Sequence, residues 1–149
     1  MKYEREFTEF LEAERGSSAS TVAAYIGDLK EFCTFMKDTR GKSGETAGNA
    51  DVAAFLMDLK EKGRSAATVN RKLASIRSYY AFLRSQGYTS SDPSEGIKAP
   101  KQQRKEIEFL SEEEVNRLME IPEDDAKGKR DKALLEILYA TGMRAGEAA

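Results

Sequence analysis

Through the first 90 positions apolar residues recur at intervals of three and four, and nowhere do they alternate strictly with polar ones, so the pattern predicts helices rather than half-buried strands. Clusters of Gly, Ser and Asn divide these positions into four amphipathic stretches. The first carries Tyr3, Phe7, Phe10 and Leu11 on one stripe and runs into Gly16. The second starts in the serine cluster at 17–20, whose hydroxyls suit the unpaired N–H groups of a helix start, and lines up Val22, Tyr25, Leu29, Phe32 and Met36. Residues 41–48 read as a flexible connection. A third helix, capped by Asn49, buries Val52, Phe55, Leu56 and Leu59 and stops at Gly63. A fourth begins at Ser65, places Val69, Leu73, Ile76, Tyr80 and Leu83 on one face, and ends at Gly87.

Between residues 91 and 110 the periodicity fails. Pro93 and Pro100 appear there and the bases Lys98, Lys101, Arg104 and Lys105 gather, the pattern of an inter-domain linker. Helical spacing then returns. Ser111-Glu-Glu-Glu114 fits a capping box that opens a helix through Val115, Leu118 and Met119. After an acidic loop at 122–128 comes a helix with Leu134, Leu135, Ile137, Leu138 and Tyr139, stopped by Gly142. Two helices and a stub do not enclose a core, so residues 111–149 are expected to be the truncated opening of a larger domain. The expected architecture is all-α: a four-helix bundle over 1–90, a linker over 91–110, and the first helices of a second domain over 111–149.

Composition narrows the chemistry. With 149 residues, 40% of them hydrophobic and 34% charged, the chain buries one modest core, or one core and part of a second. No apolar run approaches the ~20 residues of a bilayer span, and Met-Lys-Tyr-Glu-Arg-Glu is no signal peptide; a soluble, cytoplasmic chain with no membrane partner is expected. One cysteine and no histidine rule out an internal disulfide, leave too few soft ligands for an ordinary zinc site, and remove the commonest general acid or base. The net charge of −2 conceals a segregated distribution. Residues 63–105 hold nine Lys/Arg against two Asp/Glu, while the flanking segments are acidic. On the fourth helix, the wheel sets Arg71, Ser75 and Ser78 opposite the apolar stripe, with Lys72 and Arg77 beside it. Arg64 and Ser65 stand at its N-terminus, where free N–H groups favour an anion. Small and basic residues are thus available to a phosphate backbone, and each base reads equally well as a solvated surface charge.

Four pieces of sequence resemble the Xer and phage-integrase tyrosine recombinases, from about Phe7 to Glu147. Ser20-Thr21-Val-Ala-Ala-Tyr25-Ile-Gly-Asp28-Leu29 resembles the second helix of the family's core-binding domain. Thr68-Val-Asn-Arg71-Lys72-Leu73-Ala-Ser-Ile76-Arg77-Ser-Tyr79-Tyr80-Ala-Phe82-Leu83 resembles its fourth. Asp92-Pro93 with Ala99-Pro100-Lys101 is similar to its linker, and Leu110-Ser111 to the start of its catalytic domain. The most specific piece is Arg130-Asp131-Lys-Ala133-Leu-Leu135-Glu-Ile-Leu138-Tyr139-Ala140-Thr141-Gly142-Met143-Arg144.

The resemblance implies a SAM-like helical clamp on one side of double-stranded DNA, with the second and fourth helices approaching the major groove. It points to Thr21, Arg64, Ser65, Thr68, Arg71, Lys72, Ser75, Arg77 and Lys101 as DNA contacts. Arg144 takes the place of the first of two arginines that grip the scissile phosphate, a task that suits a permanently charged fork of donors. The family needs no metal or nucleotide cofactor, and its protomers act together in a synaptic complex. Its hairpin lysine, histidine motif, second arginine and tyrosine nucleophile are expected beyond residue 149, so the chain is expected to be inactive alone. At Ala145-Gly146-Glu147 it departs from the family's β-branched residue and serine before the glutamate. Tyr139 reads as packing and not as a nucleophile, and Cys33, beside Phe32 and Met36, as a small core residue. Three functions stay open: part of a site-specific recombinase, a non-enzymatic module occupying recombination sites, and a helical protein-interaction domain with an acidic partner.

Overall fold

In a computed structural model, residues 1–13, 15–101 and 109–148 are described, and every regular element among them is helical. The chain falls into two compact units, Met1–Gln103 and Arg104–Ala149. Of the linker bases, Arg104 and Lys105 lie outside the described residues.

The first unit holds α1 (Glu4–Ala13), α2 (Ala19–Phe35), α3 (Asn49–Glu61) and α4 (Ala66–Ser85). Each apolar stripe read from the sequence points inward. Phe7, Leu11, Leu29, Phe32, Val52, Phe55, Val69, Leu73 and Ile76 are essentially sealed from water, while Tyr3, Phe10 and Tyr25 pack half-buried against that core. Phe7 anchors it by meeting Tyr79 edge-on at 5.2 Å and Phe82 at 5.5 Å, contacts that add to burial itself. α4 is the hub, packing on α1, α2 and α3.

That central position corrects the wheel reading of α4. Ser75, Ser78 and Lys72 do not lie open to solvent; they are 0%, 4% and 5% exposed. A wheel drawn from one apolar stripe assumes one buried face, whereas a helix with three neighbours is covered over most of its circumference.

Two connections also differ from expectation. The third helix is capped by Gly48, whose N–H donates to Asp51 Oδ2 at 3.0 Å, and Asn49 is already the first helical residue. Residues 41–48 are anchored rather than loose. α2 widens into a π-helical turn, Met36–Arg40, that ends at left-handed Gly41, and a short 3-10 turn, Gly44–Thr46, is tied to α4 by Tyr80, whose hydroxyl donates to Gly44 O. Gly44 is there for want of space: a Cβ at this position would stand 2.6 Å from Cys33 Sγ.

In the second unit, α5 (Glu112–Glu120) opens with the expected capping box, Ser111 N donating to Glu114 Oε2 at 2.8 Å and Glu114 N to Ser111 Oγ at 3.2 Å. α6 (Ala126–Thr141) starts two residues before Gly128, inside the stretch read as loop, because Asp125 caps it by accepting from Gly128 N. It stops where Gly142 turns left-handed. A short α7 (Ala145–Ala148) follows. Tyr139, read as a packing residue, is 64% exposed, since no apolar side chain of this unit is buried among the described residues.

Candidate nucleic-acid interface

α2 and α4 begin alike. Ser18-Ala-Ser-Thr21-Val22 and Ser65-Ala-Ala-Thr68-Val69 each place a serine as N-cap, a threonine three residues on, and a buried valine after it. Ser18 Oγ accepts from Thr21 N at 3.3 Å and meets Thr21 Oγ1 at 2.9 Å; the Ser65 and Thr68 distances are 3.2 and 3.0 Å. The cap satisfies one of the orphan donors of each first turn. It leaves the N–H groups of Ala66 and Ala67 in α4, and of Ala19 and Ser20 in α2, without a backbone partner among the described residues, at the positive end of each helix dipole.

The two starts flank one crossing. Arg71, one turn past Thr68, donates through Nη1 to Ala24 O at 3.4 Å, one turn past Thr21. The same nitrogen lies 2.5 Å from Asp28 Oδ2. Asp28, only 3% exposed, also takes Lys72 Nζ on Oδ1 at 2.7 Å, and Lys72 reaches Glu31 Oε2 at 2.8 Å. A buried carboxylate so paired has its desolvation offset by charge-assisted hydrogen bonds from both sides. Arg71 keeps 44% of its side chain in solvent, so one edge of its guanidinium remains available to a ligand; Lys72, at 6%, does not.

The other candidates fare differently. Ser75 Oγ donates to Lys72 O at 2.8 Å and faces the core. Arg77 is exposed, but its Nη2 is 2.6 Å from Ile97 O, in the segment that follows α4. Lys101 and Lys98 are exposed and form no ion pair among the described residues. Arg64 is exposed beside the Ser65 cap, its N–H donating to Leu59 O. The structure thus places Arg71 and Lys72 at the crossing, with Thr21, Ser65 and Thr68 at the helix starts within two turns of it, buries Ser75, and engages the exposed Arg77 with Ile97 O. Arg144 belongs to the second unit. Its side chain is 86% exposed, its N–H donates to Glu147 Oε2 at 2.7 Å, and its Nη1 lies 3.1 Å from Glu147 Oε1.

Asp28 and Glu31 are the residues that sequence reasoning passed over. Their signal was present: Asp28 adjoins Leu29 on the apolar face of α2, as Lys72 adjoins Leu73 on that of α4, and opposite charges bordering two core stripes are positioned to pair. The duplicated Ser-Ala-x-Thr-Val start was visible too.

Residues 5–87 match the phage integrase N-terminal SAM-like domain, and residues 108–149 match the phage integrase family. The chain is 42% identical over 143 residues to tyrosine recombinase XerD of Oceanobacillus iheyensis, 40% over 143 to tyrosine recombinase XerC of Roseiflexus castenholzii, and 37% over 143 to tyrosine recombinase XerC of Bacillus subtilis. Each match takes in 95% of this chain and 48%, 46% and 47% of the respective relative, so the chain spans about half the length of the curated relatives it matches. With the SAM-like domain covering more than half of its residues and the integrase match following in order, the chain belongs to the phage integrase family of tyrosine recombinases.

Proposed function

We propose that this chain is the DNA-engaging portion of a site-specific tyrosine recombinase, and that its first unit holds duplex DNA through the starts of α2 and α4. The observation that carries this reading is the crossing of α2 and α4 one turn past their capped starts, where Arg71 reaches Ala24 O, in a chain of this family. Phosphate oxygens suit the free N–H groups of Ala66 and Ala67, the hydroxyls of Ser65, Thr68 and Thr21, and the cations Arg64, Arg71, Lys98 and Lys101. Lys72 acts from beneath, fixing Asp28 and hence Arg71. Such contacts set position and affinity; they carry no sequence information of their own.

In the second unit we assign Arg144 to the scissile phosphate, where its fork would stabilise charge on the phosphoryl group during attack. Its hydrogen bond to Glu147 would hold it in readiness. The parent protein would cut and rejoin DNA through a phosphotyrosine link, without metal or nucleotide, in a complex of recombinase protomers in the cytoplasm. Residues 1–149 would contribute DNA binding and Arg144 to that reaction.

The test is fluorescence anisotropy of the chain against a roughly 30-base-pair duplex bearing a Xer-type site and against a scrambled duplex, across a salt series. Four to five neutralised phosphates give a slope of log affinity against log salt of about −4. Binding that weakens with salt and favours the site supports the proposal. Equal binding to both duplexes leaves a non-sequence-reading clamp, and no binding at low salt transfers the basic face to an acidic protein partner.

A further inference from the structure

After α4 the chain folds back along it. Arg84 Nη1 lies 4.0 Å from Asp92 Oδ2, Arg77 Nη2 donates to Ile97 O at 2.6 Å, and Asn70 Nδ2 donates to Pro100 O at 3.0 Å. Positions 70, 77 and 84 are seven apart and so share one face of the helix, while their partners 92, 97 and 100 run the opposite way. The spacing is metrically consistent. Two helical turns from 77 to 70 rise about 10.5 Å, and three nearly extended residues from 97 to 100 cover about 10 Å.

The start of this strap is built to turn. Asp92 Oδ1 accepts from Ser94 N at 2.9 Å and Ser94 Oγ at 2.6 Å, and Gly96 closes the turn at φ +75°. α3 supplies a further clasp, because Asn49 Nδ2 donates to both Pro93 O and Glu95 O, at 3.2 and 2.9 Å. Pro93 and Ser94 are buried, Ile97 rests on the core, and Lys98 and Lys101 are left outside.

We propose that Asn70, Arg77, Arg84 and Asn49 form a seat for residues 92–100, and that this seat fixes Lys98 and Lys101 beside the start of α4 as part of the nucleic-acid interface. Arg77 is then a positioning residue, acting on DNA through the strap and not by touching phosphate. Asn70, whose side chain holds Pro100, lies only two residues past Thr68, so Lys101 leaves the strap next to the Ser65 cap. Beside the strap lies an open cleft of about 460 Å³, lined by Ala74, Ser78 and Ala81 of α4, Tyr25 of α2 and Asp92 and Ser94 of the strap. Packing of Pro93, Ser94 and Ile97 secures the start of the strap, whereas the stretch from Ile97 to Lys101 is held by the Arg77 and Asn70 rungs, so losing either should loosen that stretch. The seat stands on its own geometry; the role of the lysines rests on the DNA-binding reading above.

The strap carries its own probe, since Lys-C cleaves after Lys98 and Lys101. In the full chain, Arg77→Ala should raise the rate of cleavage after Lys98 about tenfold relative to Lys127, and Arg77→Lys, which keeps a donor, should restore much of the protection. Asn70→Ala should act in the same direction, and near-UV circular dichroism should stay unchanged in all three. On duplex DNA, the losses from Arg77→Ala and from Lys98→Ala with Lys101→Ala should overlap instead of adding, because freeing the strap already removes the lysines. Unaltered cleavage in both Arg77→Ala and Asn70→Ala would overturn the seat. Faster cleavage with fully additive binding losses would overturn the positioning role and make Arg77 a direct contact. If the unaltered chain binds no duplex, the DNA reading fails and cleavage alone still decides the seat.

Discussion

Asp28 shows how much one residue decides that its neighbours in sequence do not announce. At 3% exposure it joins α2 to α4 by accepting from Arg71 and Lys72. Truncating it leaves the Lys72 ammonium buried with only the half-open Glu31 for company, and removing one partner of a buried pair costs about 3–5 kcal/mol. Asp28→Ala is therefore expected to lower the urea midpoint severely. Asp28→Leu combined with Lys72→Met should recover most of that loss, because an apolar pair needs no compensation. A double variant no more stable than Asp28→Ala would sink this account. The caps at Ser65 and Ser111 were legible because a cap bonds three residues away, within the reach of a local pattern. The Asp28–Lys72 bond joins residues 44 apart in sequence, and no wheel drawn on one helix shows what a second helix brings to it. For the same reason Arg71 was legible as a basic residue near a helix start, but its dependence on Asp28 was not.

At the scale of elements, helices were legible and the joints between them were not. The connection at 41–48 looked loose because it is rich in Gly and polar residues. In fact Glu45 accepts from Lys2 N at 2.9 Å and Tyr79 Oη at 3.1 Å, partners from the two ends of the unit. Gly44→Ala should be destabilising by about 1–3 kcal/mol, since the added methyl meets the Cys33 sulfur, and Cys33→Ala in the same chain should reverse much of it. Equal melting temperatures for the single and double variants would contradict that contact. The same joint sets the acid limit. Burial opposes ionisation of Glu45, yet hydrogen bonds from its own N–H, Lys2, Ser43 and Tyr79 outweigh it and hold its pKa below the usual carboxylate range. Asp51 is likewise held low, first by the Gly48 N–H and then by Lys42 and Arg40. For a group whose folded pKa is depressed, the stability is complete above the unfolded value, about 4, and is lost as pH falls through the folded one. Stability measured between pH 5 and pH 2 should therefore fall less steeply in Glu45→Gln with Asp51→Asn than in the unaltered chain. Parallel pH profiles would mean that neither carboxylate contributes.

The two units differ most as wholes. The first encloses a continuous core in which Phe7, Phe32, Phe55, Tyr79 and Leu73 are at most 1% exposed. In the second, Ile121, Ile137 and Tyr139 are half or more exposed, Leu118 and Leu134 more than a third, and the only buried position among the described residues is Gly128. Helical stability in proteins comes chiefly from packing an apolar face, and helices of nine and sixteen residues have little of their own in water. Unequal stability follows. The sequence carries a convenient probe of it, having no tryptophan and six tyrosines, of which only Tyr139 lies in the second unit, and there in solvent. Near-UV circular dichroism thus reports the first unit alone, while far-UV ellipticity sums the helices of both. On heating, far-UV signal should begin to fall well before the near-UV signal, in the pattern of two units that unfold separately rather than as one cooperative body. Phe7→Ala should shift the near-UV transition down by about 3–5 kcal/mol of stability, and Leu134→Ala should leave it in place. If the two signals instead fell together, the helices of the second unit would be more stable than its exposed apolar residues allow, and this account of unequal stability would fail.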